Sequence, residues 1–135
     1  MRKNPALTVD AIAIKDGQII LIKRKNPPFQ GSFALPGGFV DYGETVENAV
    51  IREFKEETSL DAEIEDFIGI YSEPDRDPRG HTVSVVFELK ITGGTMLAGD
   101  DAAEVSLFPL DELPDLAFDH GKIISKFKAS INRSG

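Results

Sequence analysis

A chain of 135 residues with 41% hydrophobic and 28% charged residues has the composition of one folded domain, which excludes a disordered chain. Its net charge of −8 argues against nucleic-acid binding, which needs a basic surface to displace counterions. The absence of cysteine excludes disulfides and thiolate metal sites, and no apolar run is long enough for a secretion signal or a membrane span. We therefore expect a cytoplasmic protein with neither nucleic acid nor membrane as a partner.

Two strands joined by a tight turn are predicted at the start of the chain. Residues 7–14 and 18–24 are rich in apolar and β-branched residues, and Asp16-Gly17 between them is typical of a hairpin turn. Because apolar residues run on without alternation, we expect strands covered on both faces. Arg24 ends the second strand, where it is either a solvated charge or a contact to a phosphate group.

A loop, a glycine turn and a helix follow. Residues 26–32 hold two prolines and a glycine and predict the loop, and residues 35–38 (Leu-Pro-Gly-Gly) predict a turn whose glycines let the backbone approach a ligand closely. The helix is indicated by apolar residues that recur at spacings of three and four: Val46, Ala49, Val50 and Phe54.

Three carboxylates in this helix indicate a metal site. Glu53, Glu56 and Glu57 stand at i, i+3 and i+4, so their side chains project from one helix face and repel one another. A hard divalent cation with oxygen ligands offsets that repulsion. A solvated helix face is the alternative, and for an isolated Glu-x-x-Glu-Glu it is the more common one. The neighbouring glycine turn, Arg52 and Glu44 shift the balance towards the metal.

The segment from residue 38 to residue 60 resembles the Nudix box, Gly-x5-Glu-x7-Arg-Glu-U-x-Glu-Glu-x-Gly-U, where U is a bulky apolar residue. Ser59 departs from the pattern, because the family has a glycine there that closes the last helical turn. This departure concerns local stability and removes no carboxylate. The positions that match are Gly38, Glu44, Arg52, Glu53, Phe54, Glu56, Glu57 and Leu60.

The resemblance implies an α/β fold, the Nudix-like α/β/α sandwich with a mixed β-sheet between helices, formed by residues 1–135 as a single domain. It implies that the carboxylates of Glu53, Glu56 and Glu57 and the carbonyl of Gly37 bind Mg²⁺, with Mn²⁺ as an alternative. Arg52 and Glu44 would hold the carboxylates in position.

After the box we expect a strand over residues 62–72, a polar loop over 73–81 and a strand over 82–91. The loop resembles the corresponding segment of Nudix enzymes that cleave ADP-ribose, and Pro74 stands where those enzymes tend to have a proline. Arg79 and Arg76 are candidates for binding a pyrophosphate, because guanidinium groups pair well with phosphate oxygens. The alternative is a surface loop in which arginines pair with its own aspartates.

The last part of the chain is predicted to contain a turn at Gly93-Gly94, an acidic loop over residues 99–104, a strand over 105–110 and an amphipathic helix over 118–131 with Asp119 as its N-cap. Nudix enzymes often supply another glutamate from this region as general base or metal ligand. Glu104 is the candidate, with Asp100 and Asp101 as alternatives; Glu53 is the other candidate for the base. His120 either faces the site or provides polarity at the helix start.

The expected function is hydrolysis of a nucleoside diphosphate linked to another group, with ADP-ribose giving AMP and ribose 5-phosphate as the leading case. One alternative is a nucleoside triphosphate or dinucleotide polyphosphate hydrolase of the same fold. Another is a non-catalytic ADP-ribose sensor, which would call for a DNA-binding segment that we do not expect in 135 residues. The resemblance also implies a homodimer.

Overall fold

The computed structural model describes residues 3–100 and 102–134. Within those residues four strands precede the first helix and three more precede the second. They are β1 (Ala6–Lys15), β2 (Gln18–Arg24), β3 (Phe33–Ala34), β4 (Gly37–Phe39), α1 (Val46–Thr58), β5 (Leu60–Tyr71), β6 (Thr82–Gly94), β7 (Ala102–Pro109) and α2 (His120–Ser134).

Strand β1 organises the sheet, whose order is β3-β2-β1-β6-β5. It runs parallel to β6 and antiparallel to β2, while β4 pairs with β1 and β7 pairs with β2, both antiparallel. The predicted mixed sheet is therefore confirmed. The pairing of β4 places Gly38 opposite Val9 and Gly37 opposite Asp10, which fixes the glycine segment against the middle of β1.

The two helices cover opposite faces of β1. Val9, Ala11 and Ala13 are fully buried in a cluster with residues of α1, and Ile12 is buried in a second cluster with residues of α2. This alternation confirms the sandwich and explains why the strand has no polar face. It also places Asp10 on the α2 face. Neither helix of the described chain has the length and apolarity that crossing a bilayer requires.

Several predicted boundaries were wrong, and those in the sheet were wrong because pairing extends a strand. Gly37 and Gly38, predicted as a turn, belong to β4. The predicted turn at 93–94 is the end of β6, paired with Leu60 and Asp61. The predicted acidic loop over residues 99–104 is shorter than expected, because β7 begins at Ala102, which pairs with Arg24. Helix α2 begins at His120, two residues later than predicted.

The end of α1 explains the departure from the box. Ser59 adopts a left-handed conformation with φ 65°, the conformation a glycine would take there. Its hydroxyl donates to the carbonyl of Leu97 at 2.9 Å. The amides of Leu97 and Gly99 donate in turn to the carbonyls of Thr58 and Glu57. The segment of residues 96–99 thus satisfies two of the carbonyls that the last helical turn leaves without helical partners.

Candidate active site

An open cavity of about 310 Å³ lies where β1, β4, α1, the loop of residues 73–81 and the start of α2 meet. Its lining contains two sets of residues, and all of them except Phe118 were singled out by the sequence analysis. The carboxylate set is Gly37, Gly38, Glu53 and Glu57, and the arginine set is Arg24, Arg76 and Arg79 with Phe118. A volume of this size is at the lower end of the range for small-molecule sites.

The glycines bring the backbone of β4 against the carboxylates. The amide of Gly37 donates to Oε1 of Glu57 at 3.3 Å, and the Glu57 residue is only 5% exposed. A Cβ atom at Gly38 would lie 2.6 Å from the carboxylate of Glu53, and one at Gly37 would lie 2.1 Å from the carbonyl of Val9. Only glycine therefore fits at either position without displacing a carboxylate or strand β1.

Arg52 holds three glutamates from behind this set. It donates to both oxygens of Glu44, through Nε at 2.7 Å and Nη2 at 2.8 Å. Its Nη1 donates to Glu53 at 2.9 Å and to Glu56 at 3.3 Å, and Nη2 also reaches the carbonyl of Phe39. The hydrogen bonds from Arg52 lower the pKa of Glu44 to about 2, so Glu44 is charged at neutral pH. The arrangement suits a role in orienting Glu53 and Glu56.

The donor set of the cavity fits a hard divalent ion in part. Glu53 and Glu57 line the cavity with the Gly37 and Gly38 backbone, whereas Glu56 has a side chain that is 46% exposed and does not line it. Among the residues that the structure describes, no three acidic or histidine side chains converge to hold a metal by themselves. Mg²⁺ commonly takes one or two carboxylates and completes its shell with water and phosphate oxygens, and this donor set meets that requirement.

Arg79 is held by an aspartate of its own loop, whereas Arg76 is held by a residue from a distant part of the chain. Arg79 donates to both oxygens of the buried Asp77, through Nε at 3.1 Å and Nη2 at 2.8 Å. Arg76, with a side chain only 5% exposed, donates to both oxygens of Asp119. Asp119 directly precedes α2, at the predicted N-cap position, and its carbonyl accepts from the amide of Ile123, while its carboxylate pairs with Arg76.

A buried polar chain runs beneath the cavity from β6 to α2. Ser84 donates to Oδ2 of Asp10, and Nε2 of His120 lies 3.6 Å from Oδ1 of the same carboxylate. The amide of Leu35 donates to Nδ1 of His120 at 3.0 Å, so the neutral ring carries its proton on Nε2. Burial lowers the pKa of His120 and raises the pKa of Asp10. These bonds tie the segment before Gly37 to the core.

Glu104 and Asp100, two of the three candidates for an additional general base or metal ligand, do not line the cavity. Glu104 lies in β7 opposite Lys23, is exposed, and accepts a hydrogen bond from Ser106 at 2.7 Å. Asp100 is also exposed, and its carbonyl accepts from Lys25 at 3.1 Å. Asp101 lies outside the described residues. For Glu104 the cause is the early start of β7, which places this residue in a paired strand instead of a loop.

Asp10 and Phe118 are cavity residues that the sequence analysis missed. Asp10 had a signal, because an acidic residue inside an otherwise apolar strand is almost always paired when buried. Phe118 had no such signal, because its position depends on a left-handed backbone conformation with φ 54° that no sequence pattern predicts. His120, for which two roles were open, lines the cavity and is buried.

Comparisons with known proteins agree with this architecture. Residues 4–127 match the family model described as the NUDIX domain. The chain is 60% identical over 124 residues to a Methanocaldococcus jannaschii protein named "ADP-ribose pyrophosphatase", covering 92% of this chain and 73% of that protein. It is 39% identical over 98 residues to a Bacillus subtilis "Putative 8-oxo-dGTP diphosphatase", covering 72% of this chain and 61% of that protein.

A solved structure supports the same assignment. The NUDIX domain of Shewanella oneidensis NrtR, in a complex with ADP ribose, superimposes with a TM-score of 0.86 at 29% identity, covering 96% of this chain and 90% of that one. The family match spans most of the chain. The fold agrees with it, as does the packing of Gly37 and Gly38 against the carboxylates of α1. The chain therefore belongs to the Nudix family, as the resemblance of residues 38–60 predicted.

Proposed function

We propose that this protein hydrolyses the diphosphate of ADP-ribose to AMP and ribose 5-phosphate, with Mg²⁺ as the cofactor. The observation that carries the proposal is the pairing of a carboxylate set and an arginine set in one cavity. Carboxylates suit a divalent cation and guanidinium groups suit phosphate oxygens. The choice of ADP-ribose among diphosphates rests on the M. jannaschii relative and its name.

Each residue has a defined task in this proposal. Glu53, Glu57 and the backbone of Gly37 would hold the ion, and Glu56 would approach it from the solvent-exposed side. A divalent ion there neutralises charge on the phosphate oxygens and makes a coordinated water more acidic. Glu53 accepts the proton of the attacking water as the P–O–P bond breaks. Glu104 is not assigned this role, because it lies outside the cavity lining.

The remaining residues orient and bind. Arg52, with Glu44 behind it, keeps Glu53 from turning away from the cavity. Arg24 and Arg79 bind the phosphate oxygens of the substrate, whose negative charge the protein's overall charge of −8 would otherwise repel. The proposal extends to a single domain over residues 1–135 and to a cytoplasmic homodimer, which the family resemblance implies.

Two other functions have specific support. The B. subtilis relative favours a nucleoside triphosphate as substrate. The NrtR domain favours an ADP-ribose sensor that binds without turnover. Glu53, Glu56 and Glu57 are all present in this chain, which favours catalysis over sensing alone.

The test is product analysis on a panel of ADP-ribose, dGTP, 8-oxo-dGTP and a dinucleotide polyphosphate, with Mg²⁺, with Mn²⁺ and with chelator. We expect AMP and ribose 5-phosphate in equal amounts from ADP-ribose, and no product with chelator. Rapid cleavage of a triphosphate with no AMP from ADP-ribose would show that the substrate is a triphosphate and not ADP-ribose. Binding of ADP-ribose without any turnover would make the protein a sensor.

A further inference from the structure

Phe118 occupies an unusual place in the cavity lining. Its backbone has φ 54°, a left-handed conformation that is strained for a bulky residue and that tends to occur at ligand sites. Its neighbours hold it there: the amide of Ala117 donates to the carbonyl of Phe33 at 2.8 Å, and the carbonyl of Ala117 accepts from His120. These bonds hold the backbone on either side of Phe118.

Both substrate arginines contact this one ring. The Cζ atom of Arg24 lies 4.9 Å from the ring centre of Phe118, and that of Arg79 lies 5.6 Å from it. Phe29, also in a left-handed conformation, packs edge-on against Phe118 at 4.9 Å. Arg79 has a second aromatic neighbour, since its Cζ atom lies 5.4 Å from the ring centre of Phe39. Guanidinium groups are attracted to aromatic faces at these distances.

The other side of each guanidinium is anchored on the protein. Nε of Arg24 donates to the carbonyl of Pro28 at 2.7 Å, and Nε and Nη2 of Arg79 donate to Asp77. Two positive charges held beside one ring repel each other. Burial lowers the pKa of Arg24, and the charge of Arg79 lowers it further. Since an arginine stays protonated, an anion between them relieves the repulsion.

We propose that Phe118 is a positioning residue that holds Arg24 and Arg79 together as a paired site for the two phosphates of a nucleoside diphosphate. This inference rests on the proposed function for its substrate class. It adds a residue that does no chemistry and lies 58 positions beyond the box. Loss of the ring lets the two guanidiniums separate, so substrate affinity falls while the hydrolytic step is unaffected.

A different role for the same ring is stacking on the nucleobase, since bases stack well on phenylalanine. The two roles differ in what they depend on. A ring that works through the arginines loses its effect when one arginine is removed. A ring that stacks on the base keeps its effect, because the base contact does not involve Arg79.

The experiment is a double-mutant cycle on the full chain with Phe118→Leu, Arg79→Gln and the combined variant. Binding of α,β-methylene-ADP, a nucleoside diphosphate that is not cleaved, is measured by calorimetry. We expect Phe118→Leu to weaken binding roughly tenfold in the wild-type background and to have little further effect beside Arg79→Gln. In ADP-ribose hydrolysis, the same variant should raise KM by a similar factor without changing kcat.

Two controls accompany the cycle. Phe118→Tyr keeps the aromatic face and should bind as the wild type does. Phe67→Leu makes the same chemical change as Phe118→Leu at an exposed ring of β5 that does not line the cavity, and it should leave binding unchanged. Equal losses from Phe118→Leu with and without Arg79 would assign the ring to the base and overturn the proposal. Unchanged binding in Phe118→Leu, or no binding by the wild type, would also overturn it. Binding by the wild type without ADP-ribose hydrolysis would instead refute the proposed function alone.

Discussion

The carboxylate set and the arginine set line the same cavity but are built in different ways. Glu53 and Glu57 stand four residues apart on one helix, and Arg52 beside them completes the group within a single segment. Arg24, Arg79 and Phe118 come from three separate parts of the chain and meet only in the folded protein. Local helical spacing therefore specifies the first set, and the tertiary fold specifies the second.

The largest expected effect is on the carboxylate set. Glu57→Gln keeps the size of a buried side chain and removes the charge that would hold the cation. We expect kcat for ADP-ribose to fall on the order of a thousandfold, which Mg²⁺ titration and product analysis would detect. Glu63→Gln, at an exposed position of β5, is the matched control. Activity within a fewfold of wild type would remove Glu57 from the site.

A smaller loss is expected when the support of that set is weakened. Arg52→Lys keeps the positive charge, but a single ammonium group cannot hold both oxygens of Glu44 and also reach Glu53. We expect kcat to fall by about 10- to 100-fold with KM unchanged, and the Mg²⁺ requirement to rise. A change in KM alone would mean that Arg52 contacts substrate directly.

Asp77 supports the arginine set as Arg52 supports the carboxylate set. Asp77→Asn removes the buried carboxylate that accepts three hydrogen bonds from Arg79. We expect KM to rise severalfold with kcat retained, and stability to fall by about 1 kcal/mol. Steady-state kinetics and urea denaturation measure both. Asp75→Asn, at an exposed position in the same loop, is the control. A fall in kcat at constant KM would contradict the division of labour between the two sets.

The free energy of unfolding should depend on pH through the ion pair between Glu44 and Arg52, which supports the carboxylate set. The native pKa of Glu44 is about 2, below the value of about 4.3 in an unfolded chain, so its ion pair with Arg52 stabilises the fold fully above pH 5. That contribution is lost as pH falls from about 4 towards 2. The difference in unfolding free energy between wild type and Glu44→Gln should therefore shrink over this range, as denaturation at several pH values would reveal. A difference as large at pH 2 as at neutral pH would contradict the ion pair.

The smallest effect is expected at Ser59, the one position that departs from the box. Ser59→Ala keeps the left-handed strain and loses the bond to Leu97, so we expect a loss of about 1 kcal/mol. Ser59→Gly relieves the strain and loses the same bond, so its stability should stay close to wild type. Thermal unfolding of both variants measures the difference. A glycine variant less stable than the alanine variant would mean that the left-handed conformation carries no cost.

What the sequence could predict follows from the same contrast. The strand and helix order, the sandwich and the box were readable, because hydrophobic periodicity and fixed spacing are local properties. Glu104 was misplaced because the start of β7 is decided by its pairing with Arg24, 78 residues earlier in the chain. Phe118 and its contacts were beyond reach for a related reason, since no local pattern signals which distant rings and guanidiniums will meet.

The close contact between Gly99 and α1 limits how this protein can change. A Cβ atom at Gly99 would lie 1.7 Å from the carbonyl oxygen of Glu56, and the Gly99 amide already donates to Glu57. Surface loops usually accept insertions and substitutions freely, but this one rests on the backbone that carries the carboxylates. Engineering or evolutionary variation at residues 96–99 should therefore be felt as a displacement of Glu56 and Glu57, although no side chain of that segment lines the cavity.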